Sequence, residues 1–208
     1  MRRRMVTALA GVFVTFPAFA KHLLRATPPQ MAGPFYPVNP LLDDDNDLTR
    51  VAGRTTLARG EITELSGRIL DVNARAIEGA RVEIWQCDAN GRYRHPHDPG
   101  RSPLDESFQG YGHTLTDDVG RYRFRTIRPV PYPGRTPHIH MAVLLAGATP
   151  LVTQLYVREE PRNQGDFLFN RIPVEQRQLV TAPFVPGKEA GVDWRADFDV
   201  VLGHTPRA

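Results

Sequence analysis

The sequence has a single cysteine, Cys87, in 208 residues. An intrachain disulfide is therefore excluded, and so is a metal site built from several thiolates. The sequence also lacks a long stretch with a 3.6-residue hydrophobic period, apart from a short one near residues 174–179, which excludes a helical bundle. The arginines are scattered and the net charge is only +3. We therefore expect no nucleic-acid partner.

The first twenty residues differ in character from the rest of the chain. Arginines at positions 2–4 precede an apolar run at residues 5–16, and Ala18 and Ala20 form an A-x-A cleavage pattern. This order is typical of a secretory signal, which we predict at residues 1–20. The apolar run is too short for a comfortable bilayer span. We expect an exported protein, periplasmic or secreted, without a stable membrane span after processing. An uncleaved anchor or a cytoplasmic location is the alternative.

Proline and glycine are both abundant, at 19 and 17 residues, and apolar residues make up 41% of the chain. This composition suits many short strands joined by turns. Apolar and other residues alternate with a period of two, which predicts half-buried strands. The predicted strands lie at residues 80–85, 121–127, 137–146, 151–157 and 195–202.

These patterns predict an all-β protein in which an antiparallel β-sandwich carries long loops around a metal site. We predict an N-terminal arm at residues 21–60, where prolines and an acidic turn replace strand patterns. The sandwich, as a catalytic domain, is predicted at residues 61–208. A chain of this length leaves little room for a second domain.

The segment containing His138 and His140 carries the strongest chemical signal. Alternate side chains of a strand point to the same face, so both imidazoles project together while Ile139 and Met141 face a core. Two neutral imidazoles on one strand provide half of a site for zinc, iron or copper. The alternative interpretation is a pair of histidines that only form local hydrogen bonds.

Tyrosines and an arginine lie close to this segment. Tyr132 lies in a stiff proline-rich segment, Arg135 precedes the histidines, and Tyr93 follows a predicted turn. Few carboxylates lie nearby in the sequence. A phenolate oxygen is a hard ligand that suits Fe(III) better than zinc. Tyr122, by contrast, alternates with Phe124 and is predicted to lie in the core.

Taken together, these motifs resemble the intradiol ring-cleavage dioxygenases, and most closely the protocatechuate branch. The resemblance extends over most of the chain that follows residue 20, and the combination of motifs is far more specific than any one of them. The matching pieces are Gly33–Pro37, Val82–Gln86, Gly91–Tyr93, Thr116–Ile127, Pro131–Pro133, Arg135–His140 and Gln154–Tyr156.

The resemblance implies one Fe(III) per chain in a β-sandwich, with Tyr93, Tyr132, His138 and His140 as ligands. Arg135 and Tyr132 would be the catalytic residues. Arg135 would stabilise negative charge on the substrate, and Gln154 would line the substrate pocket. The implied reaction is the cleavage of a catechol-type, protocatechuate-like aromatic by O2 to a muconate-type diacid.

Two features depart from that family's pattern. Tyr132 and His138 are only six positions apart, a shorter connection than in the well-known protocatechuate enzymes, which leaves the identity of the catechol open. The second is the predicted export signal, because catabolic ring-cleavage enzymes usually work in the cytoplasm. Self-association into a homo-oligomer is also left open.

Two rival functions fit parts of the sequence. The glycine turns and strand alternation are also similar to exported binding modules related to transthyretin and carboxypeptidase regulatory domains, which have no catalytic activity. A module without catalytic activity does not require two tyrosines, two histidines and an arginine at one place. A zinc hydrolase using His138, His140 and Asp105 is a weaker rival, since no helix-borne His-Glu motif accompanies the pair.

Overall fold

The computed structural model describes residues 23–38, 41 and 43–203. The predicted signal at residues 1–20 lies outside these residues, so cleavage and export stay predictions. No helix within the described part of the chain is long and apolar enough to cross a membrane. The described strands are β1 Ile62–Asp71, β2 Arg81–Trp85, β3 Tyr111–Leu115, β4 Arg121–Ile127, β5 His138–Leu144, β6 Leu151–Val157, β7 Thr181–Ala182, β8 Val185–Pro186, β9 Trp194–Asp197 and β10 Val200–Leu202.

These strands form two sheets of five strands each. In the first sheet, β1 pairs antiparallel with β4 and parallel with β9 and β10, and β8 pairs with β9. The second sheet has the order β3-β2-β5-β6-β7, and only its β6-β7 pair is parallel. The predicted all-β sandwich is confirmed, although its sheets are mixed rather than antiparallel throughout.

The strand predicted at residues 195–202 is divided into β9 and β10. Both parts keep the same register on β1, because Ser66 pairs with Asp197 and Ile69 pairs with Val200. Between them, the Asp199 carboxylate accepts the backbone N–H of Arg68 at 2.8 Å. A side chain therefore replaces one rung of the ladder, which interrupts the strand without shifting its register.

The core lies between the two sheets and follows the predicted alternation. Tyr122 and Phe124 of β4 face inward, and the Tyr122 hydroxyl donates a 2.5 Å hydrogen bond to the Phe198 carbonyl. Arg121 and Arg123, on the other face of the strand, are exposed. The second sheet contributes Val82, Ile84, Ile139, Met141, Val143 and Leu155 to the same core.

Strand β5 is buried on both of its faces, and this arrangement positions the candidate site. Its inner face enters the core, while its outer face carries His138 and His140. The arm lies along the second sheet, where the Gln30 N–H donates to the Val152 carbonyl at 2.7 Å. The three short 3-10 helices that follow β6 are Pro161–Gly165, Phe169–Arg171 and Val174–Val180, the last at the predicted short helix.

We expect Phe124→Ala to lower the free energy of unfolding by about 3–5 kcal/mol, because it leaves a cavity between the sheets. Phe124 has no exposed surface, whereas Leu115 on β3 is 62% exposed. Leu115→Ala is the control and should change stability by about 0.5 kcal/mol or less. Denaturant unfolding of both variants measures the difference, and equal losses would contradict the packing described above.

Candidate metal centre

His138 and His140 form the inner part of the candidate site. Their Nε2 atoms lie 3.2 Å apart, and the side chains are almost fully buried. The Nδ1 of His138 lies 2.6 Å from the Thr136 carbonyl, so it donates a proton there and leaves the Nε2 lone pair free. Burial, reinforced by the Arg135 charge, lowers the pKa of His138 to about 3. Burial, together with His138, also lowers the pKa of His140 well below its ordinary value. Both rings are therefore neutral and able to bind a metal.

Cross-strand pairing fixes the orientation of His140. Its neighbours in the sheet are Trp85 on β2 and Gln154 on β6. The Trp85 indole stacks on the His140 imidazole, with 4.9 Å between ring centroids and an interplanar angle of 5°. The Nδ1 of His140 has no hydrogen-bond partner within the described residues. Stacking and sheet register, rather than a hydrogen bond at Nδ1, hold this ring in place.

Tyr93 and Tyr132 approach the histidines from two separate loops. Their ring centroids lie 5.4 Å apart, with Tyr132 5.5 Å from His138 and Tyr93 6.3 Å from His140. The Tyr93 hydroxyl is buried and has no hydrogen-bond partner in the described part of the chain. Such a group is costly to bury unless something binds it. All four residues that the sequence suggested as ligands thus converge on one place.

The environment of the two phenols fits a strongly charged metal ion. Burial raises the pKa of Tyr93 well above its ordinary value. Burial also raises the pKa of Tyr132, although Arg135 opposes that change. Deprotonation at neutral pH therefore requires an added positive charge beside the oxygens, which a trivalent ion provides. Among the described residues, no three His, Cys, Asp or Glu side chains form a metal-binding group, so a metal ion at this place would need the tyrosines as ligands.

Arg135 is held beside Tyr132 by contacts on all sides of its guanidinium. Its Nε donates to Asp166 at 2.8 Å, and its two terminal nitrogens donate to the Tyr132 hydroxyl at 3.3 Å and to Gln154 Oε1 at 2.6 Å. The Gln154 Nε2 in turn donates to the Met31 carbonyl at 3.1 Å. Arg135 and Gln154, which were both expected to bind the substrate, therefore bond directly to each other.

The N-terminal arm covers the site. Phe35 stacks on Tyr93 with 4.7 Å between ring centroids and contacts Tyr132 edge-on at 6.2 Å. Gly33 has a φ of +74°, and a Cβ at this position would lie 3.3 Å from His140 Cε1. Glycine is therefore favoured here both by its backbone conformation and by the closeness of the imidazole.

Three further residues complete the site, although no sequence pattern had indicated a role there for them: Asp166, Phe35 and Trp85. The alternation of β2 put Trp85 on the face opposite to the core, which could have suggested contact with the histidine face. Phe35 was noted only as part of a motif. Asp105, the carboxylate of the zinc-hydrolase rival, instead accepts the backbone N–H groups of Arg59 and Ser107.

A cleft of about 310 Å³ borders the site through Gln154. It lies between the arm and the segment after β6, with Met31 and Arg171 among its lining residues. Phe167, which is 55% exposed, has its ring centroid 5.8 Å from the guanidinium carbons of both Arg135 and Arg171. A larger cleft of about 540 Å³ lies over the first sheet, and none of the four candidate ligands lines it.

Comparison with known families identifies the class of protein. The family model described as "Dioxygenase" matches residues 31–203, which include most of the arm, both sheets and every candidate ligand. The chain belongs to the intradiol ring-cleavage dioxygenases. This dioxygenase is 37% identical over 180 residues to the protocatechuate 3,4-dioxygenase beta chain of Burkholderia cepacia, covering 81% of this chain and 76% of that protein.

Other relatives widen the range of named activities. A hydroxyquinol 1,2-dioxygenase of Corynebacterium glutamicum is 29% identical over 203 residues, covering 86% of this chain and 64% of that enzyme. Among solved structures, the dioxygenase domain of a carbohydrate-binding fusion from Streptomyces sp. SirexAA-E has a TM-score of 0.67 at 30% identity. That comparison covers 87% of this chain and 100% of the solved one. The protein is accordingly an oxidoreductase, and its family resemblance is confirmed.

The close approach of the arm to His140 can be tested with Gly33→Ala. Alanine in this left-handed conformation should cost about 1–2 kcal/mol of stability, and its Cβ should also displace the imidazole. Gly53→Ala is the matched control, because Gly53 has a φ of +79° and open space around it. We expect similar losses of stability in both variants but a lower metal content only in Gly33→Ala. Equal metal content would contradict the contact.

Proposed function

We propose that this dioxygenase binds one Fe(III) per chain through Tyr93, Tyr132, His138 and His140. With it, the enzyme would cleave a protocatechuate-like catechol by O2 to a muconate-type diacid. The observation that carries the proposal is the convergence of two neutral imidazoles with one buried and one half-buried phenol beside Arg135. Fe(III) would act there as a Lewis acid and as the group that binds both oxygens of the diol.

The two tyrosines have different surroundings, which suggests different roles. Tyr93 is only 4% exposed and lies under Phe35, so we assign it a constant role as ligand. Tyr132 is less buried and lies within hydrogen-bond distance of Arg135. Its phenolate oxygen is the group that can accept a proton from the incoming diol. Arg135 would stabilise that oxygen beforehand and the negative charge on the substrate afterwards.

The remaining residues prepare the site for an anionic aromatic ring. Gln154 has no exposed surface and keeps one terminal nitrogen of Arg135 in place. Phe35 shields Tyr93 from water, which strengthens every electrostatic interaction beneath it. Phe167 provides an exposed apolar surface next to Arg135, on which a ring or its substituent can pack.

The cleft next to Gln154 favours a catechol with an anionic substituent. Arg171 lines this cleft, and no hydrogen bond or ion pair within the described residues engages its guanidinium. Arg135, by contrast, has its charge offset by Asp166. A carboxylate that extends from the ring towards Phe167 would therefore meet Arg171 as its free cation. This arrangement supports a protocatechuate-like substrate over unsubstituted catechol.

The metal proposal predicts a coloured protein. Purified iron-loaded enzyme should show a broad visible band from tyrosinate-to-Fe(III) charge transfer. Tyr93→Phe and Tyr132→Phe should each shift or weaken this band, because each removes one phenolate ligand. Tyr122→Phe is the control, since its hydroxyl is bonded to Phe198 in the other part of the fold, and it should leave the band unchanged. A colourless protein with stoichiometric zinc would rule the iron proposal out.

The substrate proposal predicts a selective effect at Arg171. Arg171→Gln should raise KM for protocatechuate by about tenfold, since a hydrogen bond to a charged group contributes about 1.5–3 kcal/mol, but should leave KM for catechol unchanged. Arg177→Gln is the control, because Arg177 belongs to the same segment but donates to the Ile172 carbonyl. O2 uptake with both substrates gives these constants. An equal rise in KM for protocatechuate and for catechol would exclude contact between Arg171 and the substrate carboxylate.

Turnover itself separates this proposal from the binding-module alternative. Oxygen uptake with a panel of catechols, including protocatechuate and hydroxyquinol, should accompany loss of the ring absorbance. A protein that consumes no O2 with any of these catechols would favour a more specialised substrate or the binding module without metal. Export and homo-oligomer formation are part of the proposal too, and N-terminal sequencing of the secreted protein and sedimentation of the purified one would test them.

A further inference from the structure

Asp166 is a fully buried carboxylate that accepts four hydrogen bonds. Its Oδ2 accepts from Arg135 Nε at 2.8 Å and from the Thr136 N–H at 2.9 Å. Its Oδ1 accepts from the backbone N–H groups of Leu168 and Phe169 at 3.0 and 2.9 Å. Because four donors already surround this side chain, the carboxyl group cannot carry a proton without losing one of these bonds. A side chain that is itself a donor would not fit in its place either.

These bonds connect Arg135 to a part of the chain far away in the sequence. Asp166 directly follows the 3-10 helix Pro161–Gly165, which lies beyond β6. A second bond joins the same two segments, because the Thr136 hydroxyl contacts Asn163 Oδ1 at 2.8 Å and Asn163 Nδ2 donates to the Val157 carbonyl at 2.9 Å. The segment after β6 therefore determines where the Arg135 side chain can lie.

The two terminal nitrogens of the Arg135 guanidinium point towards the candidate site. Once Nε is bound to Asp166, one terminal nitrogen faces the Tyr132 hydroxyl and the other faces Gln154. The side chains of Arg135 and Asp166 are 7% and 0% exposed, so each compensates the charge of the other in a place with little water. Without the carboxylate, Arg135 would be a buried cation free to turn towards solvent.

We propose that Asp166 is a positioning residue of this dioxygenase, which holds Arg135 in the orientation that stabilises the substrate's developing negative charge. The inference rests on the proposed function of Arg135 but assigns to Asp166 a role that no sequence motif indicated. Asp166 acts through Arg135 and does not itself contact the substrate. Its effect should therefore appear mainly in kcat, with substrate binding preserved.

The test is Asp166→Asn in the full-length, iron-loaded enzyme. The amide nitrogen must face two donors whichever way the group is turned, so two of the four bonds are lost while the size of the side chain is kept. We expect kcat for protocatechuate to fall by about 10- to 100-fold, the range in which a misplaced catalytic group reduces rate. KM should stay unchanged or fall, because removing the carboxylate makes the site more positive.

Asp105→Asn is the matched control. Asp105 is also a buried carboxylate that accepts two backbone N–H groups, but neither of them belongs to Arg135 or its neighbours. We expect it to lower thermal stability while kcat stays within about twofold, in keeping with a loss of fold stability alone. A fall in kcat for Asp105→Asn equal to that for Asp166→Asn would overturn the proposal, and so would a normal kcat for Asp166→Asn.

A spectroscopic measurement keeps the proposal testable if Asp166→Asn does not fold or if no catechol is turned over. In the metal-free full-length protein, the Arg135 Nε–H should give a single downfield-shifted 1H–15N resonance with slow hydrogen exchange. The Arg135→Lys variant, which lacks this group, assigns the signal. A resonance at the position of solvent-exposed arginines would overturn the positioning role. Absence of turnover alone would refute the proposed reaction. The Arg135 resonance would still show whether Asp166 holds the guanidinium.

Discussion

The candidate site depends on the pairing of β5 with a neighbouring strand on each side. Because β5 is central in its sheet, its register sets Trp85 and Gln154 on either side of His140. A slip of one residue would turn both histidines into the core and the apolar residues outward. The core residues Ile139, Met141 and Val143 therefore fix the register that keeps the imidazoles together on the outer face.

That outer face is unusually polar for a buried surface. It carries two imidazoles, and two phenols and an arginine from neighbouring loops pack over it; burial is the main cause that shifts the histidine and tyrosine pKa values towards the uncharged forms. The arm, which precedes β1, and the segment after β6 both pack against these groups. A metal ion would satisfy the Tyr93 hydroxyl, which has no hydrogen-bond partner within the described residues, and this explains why such a group is tolerated there.

The sequence was sufficient for much of this arrangement. Alternation in β4 predicted that Tyr122 and Phe124 lie in the core, and the two-residue spacing of His138 and His140 predicted their common face. These are local properties of a strand, which a single segment determines. Tyr132 lies close to the histidines in the sequence, so the chain itself suggested it as a ligand. The family resemblance was needed to place Tyr93 with them, because its loop is distant in sequence.

Other features could not be predicted because they arise from contacts between distant segments. Asp166 follows no recognisable motif, and its partner Arg135 lies 31 residues away. The contacts of Gly33 with His140 and of Phe35 with Tyr93 depend on where the arm lies over the second sheet. The parallel pairing of β9 and β10 with β1 likewise joins the last strands in the sequence to the first one. Strand alternation alone does not reveal such a pairing.

The central claim is that two tyrosines and two histidines together bind iron. Diffraction from crystals of the iron-loaded protein, measured on both sides of the iron absorption edge, tests this most directly. The account predicts one strong anomalous peak per chain within bonding distance of Tyr93, Tyr132, His138 and His140. A peak elsewhere, or one at the histidines with both phenols turned away, would contradict it.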